Sequence, residues 1–219
     1  MTEEKRRIHI IGIGQAAQVP DVVILSMTLT ARNAEYSAAM TVGSQQVDLL
    51  RESIVAAGFK ADDLKTINFD VRAVYEDEEY REGNSKRRSQ IFVGFECRHD
   101  LKLTFDFDNA KLNRALDTIA ACLSQPKISI AFTIKDTEDF NDRLLKSAAK
   151  DAKHKAKILC AASGVKLGQL LDINYLPDDF ATQETIVCGA CAPIEKNSFD
   201  LQPDELTASI GVDFLWEIE

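Results

Sequence analysis

Residues 66–75, TINFDVRAVY, and residues 91–105, IFVGFECRHDLKLTF, alternate apolar and polar side chains along their length. Alternation puts every second side chain on one face, which marks strands buried on one side. The first stretch turns Ile67, Phe69, Val71, Ala73 and Tyr75 inward; the second turns Ile91, Val93, Phe95, Cys97, Leu101, Leu103 and Phe105. Together they read as one long antiparallel hairpin. Its connection, EDEEYREGNSKRR over 76–88, is acidic first and basic second, so it reads as a solvated loop or an extended hairpin tip.

On the N-terminal side, residues 21–31 alternate through Val23, Leu25, Met27, Leu29 and Ala31, and Ile8 to Gly14 reads as a shorter strand. Pro20-Asp21 between them can start or turn a strand but has no place in a central ladder, so the pair is expected as a hairpin or bent ribbon. From Asn33, an N-cap residue type, to Gly58, the pattern becomes helical through Ala39, Val42, Leu49, Leu50, Ile54 and Ala57. A second helix is expected from about Asp108 to Leu123, on a stripe of Leu112, Ala115, Leu116, Ile119 and Leu123. A third opens at Asp136 or Thr137, packs Phe140, Leu144, Leu145, Ala148, Ala149, Ala152, Ala156 and Leu159, and ends at Gly164. Strands are expected at 128–134, 169–176 and 206–218. Strands joined by hairpin-length links or single helices predict an α+β fold, antiparallel sheets with three main helices on one face. Residues 177–205 hold Pro177, Pro193 and Pro203 without a clean period, a long irregular segment of the kind that serves function or assembly. The whole of 1–219 reads as one unit, divisible into intimate subdomains of about 1–95 and 96–219.

The 219 residues carry 26 Lys and Arg against 35 Asp and Glu, a net charge of −9, with 45% hydrophobic and 28% charged residues. That balance excludes a disordered, collagenous or small disulfide-stapled chain. It also argues against a nonspecific binder of nucleic acid or anionic membrane, which would need a positive field. No apolar run approaches the roughly 20 residues of a span. The basic N-terminus is followed by an apolar stretch, Ile8 to Ile13, short of a signal peptide's core, so a cytoplasmic location is expected. An odd set of five cysteines, Cys97, Cys122, Cys160, Cys188 and Cys191, fits reduced thiols. Periodic position predicts the first three buried and the last two accessible.

The order of these elements meets specific residues: Gly12-Ile13-Gly14, Pro20-Asp21 opening a strand, Ala57-Gly58 ahead of Asp62-Asp63-Leu64-Lys65-Thr66, and Tyr75 after the third strand. Further on come Ala148, Ala149, Ala152 and Ala156 with Lys155 and Lys157, then Gly164 to Gly168, then Pro193-Ile194-Glu195 before the closing strand. In this order and spacing the chain resembles the SIMPL-domain family, also called DUF541, over nearly its whole length. That family joins bacterial periplasmic and envelope proteins, an immunogenic one that forms ring-like assemblies among them, with a kinase-associated signalling protein. The resemblance implies binding or assembly and brings no catalytic residue set. The stretch 76–90 is longer and more charged than the family pattern, and the expected lack of a signal peptide departs from the bacterial members.

Gly12-Ile13-Gly14-Gln15-Ala16-Ala17 matches G-x-G-x-x-A, the dinucleotide fingerprint, but a strand follows where a helix should begin, so a strand role outweighs cofactor binding. Cys188-Gly189-Ala190-Cys191 has the spacing of a redox pair or half a zinc site. It lacks the helix start of the first and the further ligands of the second, so incidental thiols are the plainer reading. His99 on its strand's apolar face reads as a buried or interface histidine with a satisfied nitrogen; His9 and His154 carry less. Arg143, Lys146, Lys150, Lys153 and Lys157 form a basic stripe on the third helix, read mainly as a solvated face and secondarily as an interaction surface.

The sequence reading is therefore a non-enzymatic binding or assembly protein, a homo-oligomer with a protein partner as its other expected contact, and with no cofactor, no metal site, no nucleic acid and no membrane span. Its rivals are a thiol-redox or metal protein built on Cys188 and Cys191, and, more weakly, a nucleic-acid binder using the helix stripe and Lys86 to Arg88. The oligomer is expected because a 15-residue strand at 91–105 spans about 50 Å and should outrun a single core, leaving apolar surface to be covered.

Overall fold

The computed structural model describes residues 6–82, 85–175 and 201–219, and most of the irregular segment 177–205 lies outside them. In chain order the elements are β1 (Arg7–Gln18), β2 (Val22–Asn33), α1 (Tyr36–Ala56), β3 (Leu64–Glu82), β4 (Ser85–Asp106), α2 (Asn109–Ala120), β5 (Lys127–Thr133), α3 (Thr137–Ala162), β6 (Leu167–Asn174) and β7 (Leu206–Ile218). They form two antiparallel sheets, β1-β7-β6 and β3-β4-β2-β5. The chain is α+β, as expected, and the described residues divide into two compact units.

The first two strands do not make a hairpin. β1 pairs with β7 from Arg7↔Glu217 to Gln18↔Leu206, and β2 pairs with β4 from Val22↔Asp106 to Asn33↔Phe95. The link between them is no tight turn: Pro20 has no N–H to give, the Asp21 N–H donates to Thr133 O at 3.1 Å, and the Asp21 carboxylate accepts from Lys135 N–H at 2.7 Å. These bonds carry the chain from one sheet to the other.

One unit holds the four-stranded sheet with α1 and α2. Its core joins Val23, Leu25, Met27 and Leu29 of β2 to Leu101, Leu103 and Phe105 of β4, with Leu50 and Ile54 of α1 and Leu112, Leu116 and Ile119 of α2 against them. The face of α1 is set differently from the expected one. Val42 and Leu49 are 36% and 39% exposed, while Gly43 and Val47 turn inward. Gly43 is why: a Cβ there would lie 2.7 Å from Cys97 Sγ, so the helix seats a residue that an apolar count passes over. The cap of α1 is Glu35, with Asn33 Oδ1 accepting from Glu35 N–H two residues earlier, and Gly58 ends the helix region at φ +96°. α2 stops at Ala120, leaving Leu123 86% exposed.

The β3–β4 hairpin pairs from Leu64↔Leu103 to Glu82↔Ser85. Of the two readings of 76–88, the extended hairpin is the one formed. Because β2 ends opposite Phe95, residues 74–82 and 85–94 continue as a two-stranded ribbon, roughly 30 Å long at about 3.3 Å per residue. Several side chains expected inside are outside: Tyr75, Ile91 and Val93 on the ribbon, and Ile67 and Phe69 on the edge strand β3, are all more than two-fifths exposed. Irregularities at Thr66/Asn68 and Val74/Tyr75 interrupt the alternation, and from Gly94 to the hairpin tip no third strand joins the pair among the described residues.

In the other unit α3 lies across the three-stranded sheet. Ile10, Ile210, Val212, Phe214 and Trp216 meet Phe140, Leu144, Ala148, Ala152 and Ala156. Asp136 caps the helix by accepting from Asp139 N–H at 2.9 Å, and Gly164, at φ +70°, follows its end. Leu159, expected inside, is 47% exposed. Gly12 and Gly14 present no side chain to the helix, and the alanines opposite are small, so the two backbones approach closely.

Candidate interaction surfaces

The close approach of α3 has a second consequence for β1, an edge strand with one row of backbone groups unpaired by the sheet. Asp151 accepts from Ile13 N–H at 2.7 Å and Ser147 Oγ from Gln15 N–H at 3.2 Å; Lys155 donates to Ile11 O at 3.3 Å and Arg143 to Ala17 O at 3.5 Å. Residues 143, 147, 151 and 155, spaced by four on one helix face, thus satisfy the strand's outer edge. The Asp151 carboxyl is held below its usual range by the Ile13 N–H and by Lys155. The G-x-G motif is accordingly a helix seat inside a strand, facing the middle of α3, and no helix begins there to receive a phosphate.

Of the expected basic stripe, Arg143 pairs with Asp139 at 3.1 Å and Lys146 with Asp142 at 3.1 Å, while Lys150, Lys153 and Lys157 form no ion pair among the described residues. Lys155 pairs with Asp151 at 2.7 Å. Sequence reasoning missed Ser147 and Asp151, because the capping set mixes four residue types and shows no charge pattern.

The root of the ribbon carries a chain of edge-to-face aromatic contacts. Tyr36 meets Phe95 with ring centres 5.4 Å apart, Phe95 meets Phe92 at 5.2 Å, and Phe92 meets Tyr75 at 5.7 Å. Tyr36, Tyr75 and Phe92 are 50%, 56% and 46% exposed, an apolar surface left uncovered among the described residues.

On its outer face the four-stranded sheet holds Glu96, 4% exposed, between Arg32 and Arg72, its register partners on the two flanking strands. Arg32 Nε donates to Oε2 at 2.7 Å and Arg72 Nη2 to Oε1 at 2.7 Å. These hydrogen bonds, from Arg32 first, hold the Glu96 carboxyl below its ordinary value. A lowered carboxyl gives stability that is present above the unfolded pKa, near 4.5, and is lost as pH falls through the folded pKa. Glu96→Gln is expected to cost about 1–2 kcal/mol at neutral pH, because the arginines themselves remain 63% and 64% exposed. Urea melts should show this gap at pH 7 and narrow it as pH falls below about 4.5; a gap of constant size would contradict the ion pairing.

Cys97, Cys122 and Cys160 are free and buried, as their periodic positions predict. Burial first, and then the charge of Asp70, pushes the Cys97 thiol up, so it offers no ready thiolate. Cys188 and Cys191 lie outside the described residues. His99 packs its ring on Phe69 at 4.5 Å, and burial lowers its pKa. Its Nδ1 is buried without a hydrogen-bond partner among the described residues. His9 Nε2 lies 3.7 Å from Asp213. Among the described residues no cluster of three metal-ligating side chains forms, and no helix is long and apolar enough to cross a membrane.

A family model described as SIMPL, protein of unknown function (DUF541), matches residues 8–214. The chain is also similar to the 26 kDa periplasmic immunogenic protein of Brucella abortus (strain S19), 23% identical over 234 residues that cover 100% of this chain and 87% of that protein. The protein of the same description from Brucella melitensis biotype 1 matches with the same identity and coverage.

Proposed function

The chain belongs to the SIMPL (DUF541) family, and on that premise we propose that it is a non-enzymatic binding and assembly protein that associates with copies of itself through the β3–β4 ribbon. The observation that carries this reading is the ribbon's root, where Tyr36, Tyr75 and Phe92 stay about half exposed beside strands with unpaired edges. Sedimentation equilibrium at micromolar protein should return a multiple of 24.3 kDa, and Tyr75→Asp with Phe92→Asp should shift it to the monomer mass. A wild-type chain that remains a 24.3 kDa monomer across ordinary salt concentrations contradicts the reading.

The C-x-x-C spacing of Cys188 and Cys191 supports a second reading, a thiol-redox or metal protein. Thiol counting and metal analysis on the same preparation test it: a dithiol that cycles, or stoichiometric zinc, would replace assembly as the main reading. For compartment, the free buried cysteines support a reducing cytoplasm, against relatives named periplasmic. Cell fractionation decides between the two.

A further inference from the structure

The sheet β1-β7-β6 is wider than the helix that covers it. α3 seats on β1 at Gly12 and Gly14, extends over β7, and touches β6 only at its margin. Phe214 and Trp216 on β7 are consequently buried, at 6% and 7% exposure. Their register partners on β6, Ile173 and Leu170, face the same way but remain 53% and 44% exposed. Between β6 and α3 runs a groove of about 660 Å³. The stacked rings of Phe214 and Trp216, 5.3 Å apart, form its floor, Leu170 and Ile173 one wall, and Lys153 and Lys157 of α3 the other.

The lysines set this groove apart from a bare apolar strip. Arg143, Lys146 and Lys155 on the same helix each hold a carboxylate, whereas Lys153 and Lys157, one turn apart at the groove, hold none among the described residues. A lysine that lines a groove can lay its methylene stem along an apolar wall while its ammonium group stays in water, so these two residues supply both apolar surface and positive charge. A neutral apolar guest would leave two cations unmatched, and a small inorganic anion would leave the rings and aliphatic wall uncovered. The volume falls in the range of small-molecule sites, about 300–1,000 Å³.

We propose that this groove binds an amphipathic carboxylate, its apolar chain lying on Phe214, Trp216, Leu170 and Ile173 and its anionic head held by Lys153 and Lys157. The inference is independent of the assembly reading, since it uses none of the ribbon. Trp216 is the chain's single tryptophan, so its emission reports on occupancy directly. The test titrates the full chain with dodecanoate below its micelle concentration and counts bound ligand by equilibrium dialysis.

The expected result is saturable binding of about one dodecanoate per chain with a change in Trp216 emission, weaker binding of dodecanol, and no emission response to inorganic phosphate. The double variant Lys153→Glu, Lys157→Glu changes two exposed residues and should weaken dodecanoate binding about tenfold, the order that two solvent-exposed charge contacts supply. Ile173→Asp, also at an exposed position, should weaken dodecanoate and dodecanol alike. Dialysis without saturation overturns the proposal, as does a double variant that binds like the parent. Equal affinity for dodecanol and dodecanoate removes the head-group site, and binding unchanged in Ile173→Asp removes the apolar wall.

Discussion

Gly14→Val is expected to cost at least about 3 kcal/mol and to unfold the unit built on β1, β6, β7 and α3 under conditions where the parent is folded. The first added carbon already decides the effect. A Cβ at position 14 would lie 2.1 Å from Leu144 O and 3.0 Å from Ala148 N, both backbone atoms of α3, which cannot rotate away as a side chain would. The helix has to retreat. In retreating it gives up the bonds that Gln15 N–H donates to Ser147 Oγ and Ile13 N–H donates to the Asp151 carboxylate, and so exposes the edge of β1 as well as loosening the core beneath. Gly14→Ala should show the same loss in smaller measure, about 2 kcal/mol. Urea melts followed by the emission of Trp216, buried in this unit, measure both. A valine variant that melts with the parent would mean that α3 does not seat on β1 at this distance.

Local signals were enough to find the elements themselves. Asp108 and Asp136 cap α2 and α3, Gly58 and Gly164 adopt positive φ where α1 and α3 end, and β7 runs over the alternating stretch from Leu206 to Ile218. The partners of β1 and β2 were not legible, because alternation says which face of a strand is buried and nothing about which strand lies beside it. β1 and β7 come from opposite ends of the chain, and only their register brings Ile10 to Phe214 and Gly12 to Val212. The phase of α1 was misread for a related reason: Gly43 packs by absence of a side chain, which a count of apolar residues cannot register.

The surfaces divide in the same way. A row of basic residues on α3 was visible as a charge pattern, but not its division between residues held in ion pairs and residues left at a groove. That division depends on which carboxylates stand one turn away, on the edge of β1, and on the width of the sheet. The bond from Ile13 N–H to Asp151 spans 138 positions in sequence. The Gly12 and Gly14 pair reads correctly as strand from its neighbours alone, yet its purpose, admitting a helix, depends on alanines far along the chain.

Leu103→Ala and Ile67→Ala separate what alternation predicts from what packing determines. Both residues belong to the hairpin stretches whose pattern marks them as inward, and a sequence reading treats them alike. Leu103 is 0% exposed and lies in register between Leu25 of β2 and Leu64 of β3, at 0% and 5%, under the helices. Removing its outer carbons leaves a hole walled by leucines that are themselves held by two strands, so the surroundings have little freedom to collapse into it. The expected loss is about 3–4 kcal/mol, within the range for buried leucine truncations. Ile67 sits at an irregularity on the edge strand and is 59% exposed, so its truncation gives up little burial and should cost less than about 1 kcal/mol. Thermal melts followed by circular dichroism would rank the two. Equal losses would mean that the four-stranded sheet buries β3 as deeply as β4.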